Sequence, residues 1–270
     1  MIARPDDEAE LLSYFDASPD DTIWLRAHWA DRTARFAVRR RDGQIVAVGA
    51  RDVHNAIHVH AAEELPEVAR ECARADAPVF ALCGPPEQVE AARTALDLTG
   101  RPILRLSREI IMALDLDDLV VPELLSQPGV VSRRASPDDL PLLLEWRRSY
   151  FREVHAIPAD DDAIAELDAD HAGGRLWVLE VDGAIVNTAC FSAVFPRLVQ
   201  IEYAYSPREL RAKKYGRSAV AGALLVARGE GIRRAVFNTD ENNVAVQTGI
   251  QPIGFRKTQD YWVMVFGQSS

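Results

Sequence analysis

Apolar positions in the first half of the chain alternate with polar ones in short runs, and recur every three to four residues in the longer runs between them. A period of two is typical of strands and a period near 3.6 of helices. The alternating runs predict strands at residues 35–40, 45–50, 56–60, 79–83 and 103–114. The helical runs lie at residues 6–14, 63–75 and 86–98.

The second half shows the same two periods. It predicts strands at residues 130–134, 176–181, 184–193, 198–205, 235–239 and 255–266. Helices are predicted after the cap sequence 136–139 (SPDD), at 161–172, from 215 to 227, and at 243–248. Residues 116–129 contain Pro122 and Pro128 and are predicted to link two domains. The pattern therefore predicts an α/β protein of the mixed α+β kind, with domains at 1–115 and 130–270.

Composition and charge narrow the function. The chain has 270 residues, is 48% hydrophobic and carries a formal net charge of -10, which argues against nucleic acid as a partner. Residues 1–125 hold 14 Arg and 23 Asp or Glu, a net of -9, so residues 126–270 are nearly neutral. No apolar run of about 18 residues predicts a membrane span, and no signal peptide is expected. Three widely spaced cysteines predict no disulfide framework and favour a cytoplasmic location.

A pair of cations precedes the helix predicted at residues 215–227. Lys213 and Lys214 are two of only three lysines in the chain. A helix N-terminus is a suitable binding site for phosphate, because its first backbone N–H groups are free and the positive end of the helix macrodipole lies there. A solvated helix start is the alternative interpretation. The rarity of lysine and the unfavourable placing of cations at this end of a helix favour anion binding.

The order of elements in the second half, together with four short motifs, resembles the GNAT acyltransferase superfamily over residues 129–266. The motifs are 204–207 (AYSP), 211–216 (RAKKYG), 239–247 (TDENNVAVQ) and 253–255 (IGF). The first half has a similar order but carries 61–66 (AAEELP) at the corresponding loop, where two carboxylates would repel a pyrophosphate. The resemblance implies two GNAT-like domains, each a mostly antiparallel mixed sheet flanked by helices, with the first one degenerate and structural.

The resemblance also implies a site for acetyl-CoA or another acyl-CoA. The residues carried over as cofactor-binding are Ala204, Ser206, Arg211, Ala212, Lys213, Lys214, Tyr215, Gly216, Arg217, Asn243 and Gln247. Glu202 is expected to act as general base, and Tyr205, Tyr215 or Tyr261 as general acid, with Tyr205 preferred as the catalytic residue. Two positions depart from the family pattern: Lys214 replaces a loop glycine, and Ile250 replaces the usual tyrosine acid.

The function that follows is an N-acyltransferase that moves an acetyl or acyl group directly to a small-molecule or protein amine. A non-catalytic, regulatory acyl-CoA-binding protein and a different acyl-CoA reaction on the same fold remain open alternatives. No metal site is expected, because His58 and His60 share a strand face without a third ligand at a suitable spacing. Cys190 is interpreted as a core cysteine, and Trp146 and Tyr150 as core residues or as part of the acceptor site.

Overall fold

The computed structural model describes residues 7–155 and 159–267, together with the side chains in these ranges except those of Val154, His155 and Asp162. By its internal contacts the chain divides into two units. Unit 1 comprises Met1–Ile111, Thr239–Asn242 and Lys257–Ser270, and unit 2 comprises Met112–Asn238 and Asn243–Arg256. Each unit is described separately below. In the described residues no helix is long and apolar enough to cross a membrane.

Unit 1 is a mixed sheet with helices. Its elements are α1 (Glu8–Ala17), α2 (Ile23–Asp31), β1 (Ala34–Arg41), β2 (Gln44–Asp52), β3 (Ala56–Ala61), α3 (Leu65–Ala73), β4 (Ala81–Gly84), α4 (Pro86–Ala95), β5 (Ile103–Asp115, which continues into unit 2) and β11 (Arg256–Phe266). The strand order is β1-β2-β3-β4-β11-β5. Only the β3–β4 pair is parallel among the four pairs with a resolved register, which are β1–β2, β2–β3, β3–β4 and β4–β11.

Unit 2 has the same mixed character. Its elements are β6 (Val130–Arg134), α5 (Leu140–Tyr150), α6 (Asp161–Ala172), β7 (Leu176–Val181), β8 (Ala184–Phe195), β9 (Leu198–Tyr205), α7 (Tyr215–Gly229), β10 (Arg234–Asp240) and α8 (Val244–Ile250). The order is β10-β9-β8-β7-β6, in which β9–β10 is parallel and the other pairs are antiparallel. The predicted fold class, a mostly antiparallel mixed sheet flanked by helices, is confirmed.

Helix α7 packs closely on its sheet because its buried positions are small. Ala219, Ala221, Gly222 and Ala223 are all buried. A Cβ atom placed on Gly222 would lie 2.4 Å from the Cβ of Ser132 in β6, so only glycine fits there. This close packing fixes the N-terminal end of α7 relative to the strands of unit 2.

Helix α2 was not predicted from the sequence, because its apolar residues Ile23, Trp24, Leu25 and Trp29 do not form one regular stripe. The predicted strand 255–266 corresponds to β11, whose residues from Lys257 onward lie in unit 1. The linker and domain boundaries at residues 115 and 130 stay predictions. The first residue of the predicted helix 6–14 lies outside the described residues.

Candidate active site

The start of helix α7 forms a backbone site for an anion. Lys214, the residue before the helix, has φ 65° and ψ 13°, and no side chain caps the helix. The amides of Tyr215, Gly216 and Arg217 belong to the first turn, where a helix provides no internal acceptor. Lys213 and Lys214 are both exposed, and among the described residues neither ammonium group has a carboxylate within ion-pair distance. These groups fit a phosphate.

The backbone of this loop adopts the conformation that glycine favours. Ala212 at φ 61° and Lys214 at φ 65° both lie in the left-handed region. A residue with a Cβ atom costs about 1 kcal/mol there. Lys214 stands where the family pattern has a glycine. The structure shows that the lysine keeps the glycine-type backbone conformation instead of extending the helix by one residue.

Strands β9 and β10 stop pairing halfway along β9. Their parallel ladder runs from Leu198–Arg234 to Ile201–Phe237 and ends there within the described residues. On its other edge β9 continues to pair with β8, as far as Tyr205 opposite Thr188. Residues Glu202–Tyr205 therefore have a strand edge turned away from β8 whose backbone groups are available to a ligand. Ala204, a predicted cofactor contact, lies exposed on this stretch.

Ser206 is hydrogen-bonded to two residues of strand β8. It is buried, its hydroxyl donates to the carbonyl of Val186 at 2.7 Å, and it accepts from Asn187 Nδ2 at 2.9 Å. The same Nδ2 atom lies 3.9 Å from where a Cβ atom on Gly216 would stand. The Ser206 side chain is thus hydrogen-bonded within the protein, while the sequence analysis predicted a cofactor contact. Asn187 was missed, because a lone polar residue in the apolar strand β8 carries no recognisable motif.

The side chain of Arg211 is paired with an acidic residue and does not form an open site for an anion. Its guanidinium donates to the Ser206 carbonyl at 2.9 Å and to Glu153 at 2.6 Å. Tyr205 donates from its hydroxyl to the same carboxylate at 3.3 Å. The hydrogen bond from Arg211 lowers the pKa of Glu153, and burial followed by the charge of Glu153 raises the pKa of Tyr205. Tyr205 therefore keeps its proton, as a general acid must, while Arg211 fixes the loop.

Glu202 lies in an acidic cleft of about 290 Å³. The cleft is lined by Glu166, Ala169, Asp170, Arg175, Ser192 and Glu202. Arg147, which is buried, donates to Glu202 at 3.4 Å and to Glu166 at 2.9 Å. Arg175 is paired with Asp170 at 2.8 Å. The cleft thus contains three carboxylates and keeps its two nearby arginines in ion pairs.

The environment of Glu202 suits a general base. About a third of its side-chain surface is exposed, and burial of the remainder raises the pKa of its carboxyl group, although Arg147 opposes this shift. A base is most effective when its pKa is close to the working pH. The predicted alternation along β9 is confirmed for Ile201, Tyr203 and Tyr205, which are buried on the opposite face.

Helix α8 carries the remaining predicted cofactor residues. Asn243 caps its start by accepting from the amide of Val246 at 3.4 Å, so its carbonyl oxygen has a structural partner. Gln247 and Ile250 are half-buried on the same helix. The position at which the family carries a tyrosine acid is therefore occupied by an aliphatic side chain.

The other candidates for general acid and nucleophile lie in different environments. Tyr261 belongs to unit 1 and is fully buried, with a strongly raised pKa, whereas Tyr215 lies beside Lys213 at the start of α7. Cys190 is buried and its pKa is raised first by burial, which fits its interpretation as a core residue. Trp146 and Tyr150 pack with Tyr203 and Tyr205 in an apolar cluster of unit 2.

Comparison with known proteins agrees with this geometry. Residues 140–248 match the family model described as the acetyltransferase (GNAT) family. An acetyltransferase of the GNAT family from Colwellia psychrerythraea has a similar structure, with a TM-score of 0.63 at 12% identity over 99% of each chain. A GCN5-related N-acetyltransferase from Kribbella flavida gives 0.57 at 16% identity, covering 88% of this chain and 91% of its own. No curated protein sequence matches the chain.

Residues 140–248 therefore match the acetyltransferase (GNAT) family, and the resemblance inferred from the motifs is confirmed. At these identities the solved structures establish the fold alone.

Proposed function

We propose that the chain is an N-acyltransferase that transfers an acetyl or other acyl group from acyl-CoA to an amine, in a ternary complex without a covalent enzyme intermediate. The observation that supports this most strongly is the position of Glu202. It lies in an acidic cleft, on the same strand whose free edge leads to the uncapped start of α7. The candidate base on β9 and the candidate anion-binding site at the start of α7 therefore lie on consecutive strand and helix elements of unit 2.

The residues that would hold acyl-CoA are those of the loop and of the strand edge. The amides of Tyr215, Gly216 and Arg217, with Lys213 and Lys214, would bind the pyrophosphate. The backbone of Glu202–Tyr205 would hold the pantetheine arm by hydrogen bonds. When bound, acyl-CoA supplies a thioester carbonyl to the amine. Binding both reactants in one site provides proximity, which is a large part of such catalysis.

Glu202 would take a proton from the amine, directly or through one water. Its raised pKa makes it a stronger base than an exposed glutamate. Ile250 cannot protonate the departing thiolate, so that proton would come from Tyr205 or from water. A thiolate is a good leaving group, so acid catalysis contributes less to this step than does the base.

The acceptor that we expect to fit the cleft is a cationic amine. Three carboxylates, of Glu166, Asp170 and Glu202, line the cleft, and Arg147 and Arg175 offset two of their charges. The one net negative charge that remains would attract a cationic substrate. Diamines and lysine-containing peptides are the small-molecule and protein forms of such an acceptor.

Release of free thiol from acetyl-CoA, measured with singly charged monoamines, diamines and a lysine peptide, tests the proposal. We expect amine-dependent release that is fastest with the dicationic acceptors. Tight CoA binding without turnover on any amine would instead favour the non-catalytic CoA-binding protein. Release that is independent of an amine would indicate hydrolysis.

A paired substitution tests the candidate anion-binding site. Replacing Lys213 and Lys214 by alanine should weaken CoA binding by about tenfold or more, because each ammonium contributes to a charge-assisted contact. Binding of a phosphate-free pantetheine fragment should not change. Lys257→Ala is the matched control, since this exposed lysine pairs with Asp260 in unit 1. Equal losses for CoA and pantetheine would contradict a phosphate contact.

A further inference from the structure

Two histidines and an aspartate from three different elements meet in unit 1. His28 comes from α2, Asp52 ends β2 and His58 lies in β3. The Nε2 atoms of the two histidines are 3.2 Å apart, and Nε2 of His58 is 3.4 Å from Oδ2 of Asp52. All three ligand-type atoms lie within 4.8 Å of one another.

These separations are those of ligands around one small metal ion. Ligand atoms at about 2.0–2.1 Å from Zn²⁺ in tetrahedral geometry stand roughly 3.3 Å apart. The distances of 3.2 and 3.4 Å are close to this value, and the ligand atoms of His28 and Asp52 lie within 4.8 Å of each other. Two imidazoles and one carboxylate are also a donor set that Zn²⁺ commonly binds while keeping a fourth position for water.

The outer atoms of the three side chains are already held by the protein. Nδ1 of His28 is 2.8 Å from the hydroxyl of Thr33, and Nδ1 of His58 is 3.3 Å from the hydroxyl of Tyr261. Both hydroxyl oxygens can accept from an Nδ1–H group, and this tautomer leaves both Nε2 lone pairs for a metal. Metal-binding histidines in proteins are usually oriented in this way.

Asp52 is oriented by its own turn. Its Oδ1 accepts from the amides of His54 and Ala56, both at 2.9 Å, so its Oδ2 is the atom turned toward His58. His58 is buried, whereas His28 and Asp52 are partly exposed.

We propose that His28, Asp52 and His58 form a Zn²⁺ site in unit 1, with a fourth coordination position for water. The ion ties helix α2 to strands β2 and β3 and stabilises this unit. The site is separate from the residues proposed for acyl transfer, all of which belong to unit 2. From the sequence, only His58 and His60 on one strand were considered, and no metal site was expected.

Titration of tag-free, metal-free full-length protein with Zn²⁺ by calorimetry, and with Co²⁺ by visible absorption, tests this site. We expect one ion per chain, the visible bands of tetrahedral Co²⁺, and a melting temperature that rises with Zn²⁺ concentration. Asp52→Asn and His28→Gln should each weaken binding by about a hundredfold. Tyr261→Phe, which removes only an outer partner, should weaken it by about tenfold.

His60→Gln is the matched control. His60 lies two residues along the same strand, but it contacts Tyr14 at 2.7 Å and Asp21, outside the cluster. Its replacement should leave Zn²⁺ affinity unchanged. Wild-type protein that binds no Zn²⁺, or Asp52→Asn and His28→Gln variants that bind it as the wild type does, would overturn the proposal. Circular dichroism checks that each variant is folded, and the partly exposed position of these two residues makes that outcome expected.

Discussion

At Gly216, the effect of a side chain on the stability of the free protein can be distinguished from its effect on ligand binding. It lies in the first turn of α7, and its φ is outside the left-handed region. A Cβ atom there would meet only Asn187 Nδ2 at 3.9 Å, an ordinary van der Waals contact. Nothing within the described protein therefore requires a glycine at this position.

Gly216→Ala should for this reason stabilise the free protein. Alanine is favoured over glycine in a helix by about 0.5–1 kcal/mol, with a smaller gain expected near the helix end. The added methyl group would, however, stand among the amides proposed to contact phosphate. Loss of one hydrogen bond to a charged group costs about 1.5–3 kcal/mol, so CoA affinity should fall by roughly tenfold to a hundredfold.

The two effects are measured separately, by denaturant unfolding without ligand and by calorimetric titration with CoA. Gly229→Ala is the matched control, because it lies at the other end of the same helix with nothing within 4 Å of its Cβ position. This control should change stability slightly and leave CoA affinity unchanged. If Gly216→Ala binds CoA as tightly as the wild type and Gly229→Ala do, the start of α7 is not the phosphate site.

Three further outcomes follow from the geometry. Lys214→Gly should raise the free energy of unfolding by about 1 kcal/mol, because it relieves the left-handed backbone at φ 65°, whereas Lys213→Gly, outside that region, should not; denaturant unfolding checks both. Glu202→Gln should lower kcat/KM by about a hundredfold or more. Because burial raises the pKa of Glu202, wild-type activity should fall as the pH drops through that raised value, and a variant that keeps this acidic limb would refute the assignment. Asp139→Asn should lower the free energy of unfolding near pH 7 by about 2 kcal/mol, because the hydrogen bond from Arg133 lowers the pKa of Asp139 from 3.8 to about 2. This difference should be complete above pH 4 and should disappear as the pH falls through 2; urea titrations at several pH values measure it.

Much of the fold could be predicted because local periodicity and burial agree in most elements. In β9 the alternating apolar residues Ile201, Tyr203 and Tyr205 are the ones that the structure buries. Helix α2 was missed for the opposite reason: its apolar residues form no clear stripe, so its helical state depends on packing of Leu25 and Trp29 against the sheet of unit 1.

The candidate site likewise has parts that could be predicted from the sequence and parts that could not. Sequence order alone located the loop before α7 and Glu202 on β9, because helix starts and strand faces are local properties. The partners that decide what those residues do come from distant segments. Glu153 contacts Arg211 and Tyr205, and Arg147 contacts Glu202. These contacts join residues that are 52 to 58 positions apart in the chain.

The order of residues was enough to predict the type of most elements, the GNAT-like order of the second half, and the cations before a helix. Which polar groups meet depends on the tertiary structure. It assigned Arg211 to Glu153, gave the cleft around Glu202 its acidic character, and brought His28, Asp52 and His58 together from three elements. The physical reason is that periodicity reports which face of an element is buried, whereas hydrogen bonds, pKa shifts and metal ligation depend on distances of a few ångströms between elements.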